Sequence, residues 1–351
     1  MQPTFTFPRR RFLLGALAVT LAAAPPARSA AQDAPAELKL SVAVGPALPL
    51  GKAAARWGEL LGEMGEGAVA AKLHPGASLA ERDPGREFAA LKDARADLAT
   101  GSALQWSLQV PALGVFALPW IAPEDAQLAA MARDAALREL LRERVAAAGA
   151  QLVALAPLGY REIANSVRPI RAPEDVAGLR LRATASPLLQ DVLRALGVVT
   201  QSMPFAEAQA AFAAGRLDGQ EGPPSALAAG RVAARGQRHV TDLGGIGDAM
   251  VFAVRSGVWS AWTPAQRERA RTAAERAIAE TQALEAEQAA LRQLAAQGAS
   301  VLRLTPAGQQ AFRAAVREAD VRWRATVGAE VVEAAERAVA GAVGAPGTGP
   351  R

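Results

Sequence analysis

Segments typical of strands and helices alternate along this chain, and the alternation starts a second time near residue 152. In order, the first half contains a predicted strand at 38–44, a helix at 51–64, a strand at 68–73, a helix at 87–95, a short strand at 97–99 and a helical stretch at 125–148. Strands separated by helices at this spacing predict an α/β domain with a largely parallel sheet.

The second series has the same character. It comprises a strand at 152–156, a one-turn helix at 173–176, a strand at 179–182 and helices at 187–196 and 205–214. A chain of 351 residues exceeds what one hydrophobic core usually sustains. The sequence therefore predicts two α/β units.

The last third of the chain is different, because residues 265–297 contain neither glycine nor proline. Thr263 can cap a helix there, with Pro264 at its first position and Gln266 completing a capping box. An unbroken helix of this length would measure roughly 50 Å, longer than a small domain is wide. We expect it to lie across both units, followed by a second amphipathic stretch from Pro306 to about Ala340.

The formal net charge of +5 suggests polyanionic partners until the charges are located. Four arginines lie within residues 1–31, and the remaining chain holds 35 basic and 34 acidic residues. Arg9-Arg10, followed by Arg11 and then Phe12-Leu13, fits the twin-arginine export pattern of two arginines, any residue and Phe-Leu; a short apolar run and small residues at 29–31 follow. We expect a removed signal peptide at 1–31 and a periplasmic protein without nucleic-acid partners; an uncleaved anchor is the alternative.

Common catalytic and metal-binding motifs are missing from the sequence. There is no cysteine, and His74 and His239 are the only histidines, so thiolate chemistry and histidine-based metal sites have few ligands. The segment from Gly45 to Lys52 has the wrong spacing for a phosphate loop, and no nucleophile elbow is present. We expect no catalytic residues, no metal and no cofactor.

One run of short motifs is specific. In order, residues 159–224 contain Gly159-Tyr160-Arg161, Arg168-Pro169-Ile170, Pro173-Glu174-Asp175, Gly178-Leu179-Arg180-Leu181-Arg182, Met203-Pro204-Phe205 and Asp218-Gly219-Gln220-Glu221. This run closely resembles the substrate-binding proteins of TRAP (tripartite ATP-independent periplasmic) transporters, the DctP family. The resemblance is dense here and looser over most of the remaining chain.

The resemblance implies a two-lobed periplasmic-binding-protein fold with a long helix spanning both lobes and a helical C-terminus. We expect lobe I at 36–157 plus about 248–280, lobe II at 158–247 plus about 285–342, and a disordered tail at 343–351. The implied function is capture of an organic acid anion between the lobes and its delivery to a TRAP membrane permease. A monomer is expected, with a dimer as the alternative.

The resemblance also assigns site residues. Arg182 is expected to pair with the ligand carboxylate, Arg161 to assist, and Phe205 to pack on the ligand. A guanidinium meets a carboxylate with two parallel hydrogen bonds, and Arg182 ends its strand where open α/β sheets bind ligands. Strand alternation places Arg180 on the same face, so the residues alone leave open which arginine faces the cleft.

The chain also departs from the family pattern. The motif ending in Gln220 commonly continues to an asparagine that reaches the ligand, whereas this chain has Gly222. Asp248 follows Gly247 where many members have Asn-His. We expect Gln220 and Gly222 at the site, a ligand other than a simple dicarboxylate, and Trp120 or Trp106 as an aromatic wall.

Two other function classes remain open at this stage. One is a ligand-sensing module that docks a membrane receptor instead of a permease. The other is a periplasmic enzyme, since twin-arginine export often serves proteins that fold before export. The scarcity of histidine and the missing nucleotide motifs argue against the enzyme.

Overall fold

The computed structural model describes residues 1–3, 36–64, 69–203 and 205–343. The predicted signal peptide and nearly all of the predicted C-terminal tail lie outside these residues. The described residues from 36 onward form one compact unit.

Its strands form two sheets. The first sheet has the order β2-β1-β3-β10-β4 and contains β1 Ala36–Val42, β2 Val69–His74, β3 Leu98–Ser102, β4 Ala150–Tyr160 and β10 Gly247–Arg255. The second sheet has the order β11-β9-β5-β8-β6-β7 and contains β5 Glu162–Asn165, β6 Arg180–Arg182, β7 Val199–Gln201, β8 Gly219–Gly222, β9 His239–Asp242 and β11 Ser300–Arg303.

The helices fill the connections. They are α1 Pro49–Met64, α2 Glu87–Lys92, α3 Ala103–Trp106, α4 Asp125–Arg133, α5 Ala135–Ala147, α6 Pro173–Val176, α7 Pro187–Ala195, α8 Phe205–Ala213, α9 Pro224–Ala229, α10 Ser256–Ala261, α11 Pro264–Thr281, α12 Ala283–Ala296, α13 Pro306–Ala315, α14 Arg317–Val327 and α15 Ala329–Val343. None of the described helices is long and apolar enough to cross a bilayer.

Neither sheet is as parallel as the strand–helix alternation predicts. In the first sheet β1 runs parallel to β2 and β3, but β10 is antiparallel to β3 and β4. In the second sheet β5 is antiparallel to β8 and β9. The reversals arise where the chain passes between the sheets, because β4 leads directly into β5 and β9 leads into β10.

These two passages are bonded to each other. Gly247 at the start of β10 pairs with Tyr160 at the end of β4, and the Arg161 amide donates to the Ile246 carbonyl at 2.9 Å. The backbone at Arg161 is thus fixed between the two sheets. The side chains at this junction have little freedom to change position independently.

The predicted long helix is two helices. The capping box at Thr263 and Gln266 is present as expected, but Gln282 adopts a left-handed conformation (φ 51°) and ends α11. The Thr281 hydroxyl donates to the Ala277 carbonyl at 2.7 Å in the last turn of α11. The break allows α11 to follow α1 while α12 contacts α9 and β11, so the pair still extends from elements of the first sheet to elements of the second.

The core between α1, α11 and the first sheet depends on small residues. Ala270, Ala273 and Ala277 of α11 are fully buried, which lets the large Trp57 ring of α1 lie against them. The Trp57 indole donates to the Ala270 carbonyl at 3.2 Å and meets Phe252 edge-on at 5.3 Å. The alanine richness of α11 is therefore used for close packing as well as for helix propensity.

The C-terminal segment folds as the three helices α13, α14 and α15 in place of one amphipathic stretch. They are separated at Val316 and at Gly328, whose φ of 105° few residues other than glycine adopt. Helix α15 packs on α4 and α5, whereas α14 packs on α7 and on the 3₁₀ helix Pro111–Ala117. The predicted helical C-terminus is confirmed.

Candidate ligand-binding site

A cavity of about 490 Å³ opens where strands of both sheets end. Ala43 follows β1, Ser102 ends β3, Arg182 ends β6, and Gly222 ends β8; all four line the cavity. Ligands of open α/β sheets bind at the carboxyl ends of strands. The cavity is therefore the candidate site of this chain.

Arg182 brings an available cation to the cavity. Its Nε donates to the Met203 carbonyl at 3.1 Å, which fixes the plane of the guanidinium. Among the described residues no carboxylate lies within salt-bridge distance of it, and burial lowers the pKa of this arginine from its usual value. Arginine remains charged in proteins, so this group is a half-buried positive charge with two terminal nitrogens that no described side chain engages.

Arg161 is differently placed, because its charge is already neutralised. Nε donates to one oxygen of Glu221 at 2.6 Å and Nη2 to the other at 3.0 Å. The exposed fractions of these side chains are only 11% and 3%. Burial disfavours the charged guanidinium, but Glu221, together with Asp248 and Glu287, outweighs that effect and the pKa of Arg161 is raised. The Thr184 amide also donates to Glu221 at 2.6 Å, so this pair fixes the loop that follows Arg182.

Asp248 reaches the cavity from the start of β10. It accepts hydrogen bonds from the Ser102 hydroxyl at 2.6 Å, from the Leu104 amide at 3.1 Å and from the Ala249 amide at 2.8 Å. Burial raises the pKa of Asp248, while Arg161 and these hydrogen bonds act in the opposite direction. The carboxylate is fixed in place by three donors.

Glu287 faces the cavity from α12. It accepts from the Ser225 amide at 2.7 Å and from the Ser225 hydroxyl at 2.5 Å. Burial raises its pKa to about 7, although Ser225 and Arg161 favour the ionised form. The group is therefore about half ionised at neutral pH.

The structure distinguishes Arg180 from Arg182. Arg180 donates from Nε and Nη2 to the two oxygens of Asp218 at 2.9 and 2.6 Å, and 41% of its side chain is exposed. Only Arg182 lines the cavity. Both arginines start from the same face of β6, and the difference is that Asp218 lies beside the first of them.

The other predicted residues have different positions. Gln220 and Gly222 of β8 line the cavity with Arg161 and Arg182. Phe205 begins α8, but its side chain lies outside the described residues.

The structure places both tryptophans of the predicted aromatic wall away from the cavity lining. Trp120 is buried against Gly245 and lies 6.0 Å from the ring of Phe312, and its amide donates to the Gly245 carbonyl at 2.7 Å. Trp106 is fully buried beside Phe88. Neither is among the residues that line the cavity, because both rings fill cores behind it.

Glu287 is a site residue that sequence reasoning missed. It is spaced with Leu284, Leu291 and Leu294 so that all four fall on one face of the helix. A lone carboxylate within an apolar stripe is a signal of a buried acid, and it was available in the sequence. Ser102, Gln105 and Thr184 also line the cavity, and no sequence signal distinguished them.

No group of His, Asp and Glu side chains suitable for a metal ion occurs among the described residues. The residues of the cavity instead provide charged and hydrogen-bonding groups at one part and apolar side chains elsewhere. The apolar side chains include Val44, Leu48, Leu50, Leu158 and Leu227. Such a surface binds a small organic ion and excludes water from its apolar part.

Comparison with known proteins gives the family. Residues 40–323 match the family model of bacterial extracellular solute-binding proteins, family 7 (DctP). The chain belongs to this family. The C4-dicarboxylate-binding periplasmic protein DctP of Rhodobacter capsulatus is 32% identical over 61% of this chain, and the match spans only 62% of that relative's length.

Solved structures match over a larger part of the chain. A TRAP periplasmic solute-binding protein from Ralstonia eutropha H16, with bound (S)-2-hydroxy-2-methyl-3-oxobutanoate, is 37% identical. The match covers 87% of this family 7 chain and 99% of that protein, with a TM-score of 0.80. A galactonate complex of the sugar acid binding protein from Advenella mimigardefordensis matches with a TM-score of 0.79 at 21% identity, which supports the fold alone. The expected two-lobed α/β fold is thereby confirmed.

Proposed function

We propose that this family 7 protein captures an organic acid anion in the cavity and delivers it to a TRAP membrane permease. The observation that carries the proposal is the half-buried guanidinium of Arg182, which lines the cavity without a carboxylate partner among the described residues. A buried, unpaired charge is costly unless a counter-ion binds it. The carboxylate bound by the 37% identical Ralstonia protein supports this choice of ligand class.

The role of each residue follows from its partners. Arg182 binds the ligand carboxylate through its terminal nitrogens, and Arg161 supports the site through its pair with Glu221. Gln220 and Gly222 border the ligand, and Phe205 remains a candidate for packing on it. None of these groups forms a nucleophile–base arrangement, so we propose binding without catalysis.

The boundaries of the lobes, the location and the export route also belong to this proposal. We place lobe I at 36–157 plus about 248–280 and lobe II at 158–247 plus about 285–342, so that the ligand lies between them. We place the protein in the periplasm after removal of a twin-arginine signal at 1–31, acting as a monomer. Cell fractionation with and without Arg9→Lys plus Arg10→Lys tests the export route.

The test of the function is a thermal-shift screen of the purified protein against organic acids. A ligand that binds only the folded state raises the melting temperature by mass action. We expect at least one carboxylate to raise it, and Arg182→Ala to abolish the shift. Equal shifts in the wild type and the variant would contradict the role of Arg182, and no shift with any acid would contradict the function.

A further inference from the structure

The charged side chains that line the cavity disfavour an anion with two carboxylates. Arg161 and Glu221 neutralise each other through two hydrogen bonds, which leaves Arg182 as the one lining arginine, within the described part of the chain, without an acidic partner. Two more carboxylates, Asp248 and Glu287, line the same cavity. A ligand in this site would therefore meet one unpaired cation, Arg182, and two acids, Asp248 and Glu287.

These two acids cannot easily withdraw from a ligand. Asp248 is held by three hydrogen bonds from Ser102, Leu104 and its own strand. Glu287 is held by the backbone and the hydroxyl of Ser225, and its side chain lies against Gly159. Both are buried, so water screens their charge weakly. A negative group placed near them would be repelled.

Other residues that line the cavity would contact the end of a ligand that is distant from Arg182. Leu48 directly precedes α1, Leu50 lies in the first turn of that helix, and Leu227 comes from α9. Gly222 adds no side chain, and a Cβ there would be only in ordinary van der Waals contact with Leu227 at 3.7 Å. The cavity therefore has room for an uncharged, partly apolar group.

We propose that the site selects monocarboxylates and rejects dicarboxylates of similar size, with Asp248 and Glu287 as the residues that determine this specificity. The inference rests on the proposed function, because it concerns the ligand that Arg182 would hold. It adds a constraint that the family match leaves open, since the Rhodobacter relative is named for dicarboxylates.

The test uses ligand pairs that differ only in one charge. Succinate and its monoamide succinamate have nearly the same shape, and glutarate and glutaramate form a second pair. Titration calorimetry at pH 8 should give dissociation constants at least about tenfold lower for the monoamides, because like-charge juxtaposition in a desolvated site is strongly unfavourable. Any dicarboxylate that binds as tightly as its monoamide, or tighter than every monocarboxylate in the screen, would overturn the proposal.

A variant isolates the acid responsible. Glu287→Gln keeps the shape of the side chain and should reduce the preference for the monoamides by at least about threefold, while Glu285→Gln, on the exposed face of the same helix, should not change it. An unchanged preference in Glu287→Gln would contradict the role of this residue. The wild type gives a second measurement. When the pH is lowered from 8 to about 6.5, Glu287 takes up a proton, and the preference for the monoamides over the dicarboxylates should become smaller.

Failure of the two proposals can be told apart. If no acid of any kind binds, the proposed function is wrong and the selectivity has no ligand to act on. If acids bind but dicarboxylates are preferred, the function stands and only the assignment of Asp248 and Glu287 is wrong.

Discussion

Replacement of Arg182 by glutamine is the perturbation with the clearest expected result. The variant keeps a polar side chain, which is shorter, and loses the charge and the planar guanidinium. In the wild type the Nε group is used by the Met203 carbonyl, so Nη1 and Nη2 are the nitrogens left for a ligand carboxylate. The substitution therefore removes two charge-assisted hydrogen bonds to the ligand.

Each such bond contributes about 1.5–3 kcal/mol, so the expected loss of binding free energy is at least about 3 kcal/mol. At 1.4 kcal/mol per tenfold, the dissociation constant should rise by roughly a hundredfold or more. The folded state should not suffer, because the variant also relieves a half-buried charge that has no carboxylate partner among the described residues.

Isothermal titration of the tightest carboxylate from the screen measures this directly. Arg180→Gln is the matched control, since Arg180 lies on the same strand but pairs with Asp218 outside the cavity. Its dissociation constant should stay within about twofold of the wild type. Equal losses in the two variants would refute the argument, and so would a loss of less than about tenfold in Arg182→Gln.

Three further outcomes are expected. Burial raises the pKa of Glu87 to about 8, above its unfolded value near 4.5, so the free energy of unfolding falls as pH rises between these values. Denaturant unfolding at pH 6 and pH 8 measures this fall, and the fall should be about 2–3 kcal/mol smaller in Glu87→Gln than in the wild type. Equal falls in the two proteins would contradict the raised pKa. Gly101→Ala should cost about 1–3 kcal/mol or more, because its Cβ would lie 2.0 Å from the Trp106 ring, whereas Gly45→Ala has open space and should cost little. Gly222→Asn should fold normally, with a melting temperature within about 2 °C of the wild type, yet weaken the bulkiest ligand at least about tenfold because the new side chain occupies the cavity; an unchanged affinity would show that Gly222 does not border the ligand.

Local patterns predicted the individual elements well where one residue type decides the backbone. The cap of α11 at Thr263 and Gln266, the one-turn helix α6 and the strand that carries Arg182 were all expected from spacing alone. Short strands such as β7 and β8 were not, since pairing with neighbours defines them more than their own residues do.

The break at Gln282 shows why the long helix was overestimated. Nothing in an alanine-rich stretch without glycine or proline identifies one glutamine as left-handed. The conformation follows from packing, because α11 lies along α1 and α12 turns toward α9. Tertiary contacts therefore override intrinsic helix propensity at this position.

Only part of the site could be predicted from the sequence, because tertiary contacts decide which side chains reach the cavity. The motif around Arg182 pointed to an arginine that lines the cavity, but only the position of Asp218 shows that Arg180 is already paired. Glu287 reaches the cavity from a helix more than a hundred residues away in sequence. Trp120 lies in a core, and the sequence does not show this, because a tryptophan that fills a core and one that lines a pocket have the same sequence signature.

The central claim is that Arg182 holds the carboxylate of a single-charged ligand inside this cavity. A crystal structure of the protein with the tightest monocarboxylate tests it most directly. The account predicts both carboxylate oxygens about 2.7–2.9 Å from the terminal nitrogens of Arg182, with the rest of the ligand against Leu48 and Leu227. A ligand whose carboxylate is bound elsewhere, with the Arg182 guanidinium not engaged, would contradict it.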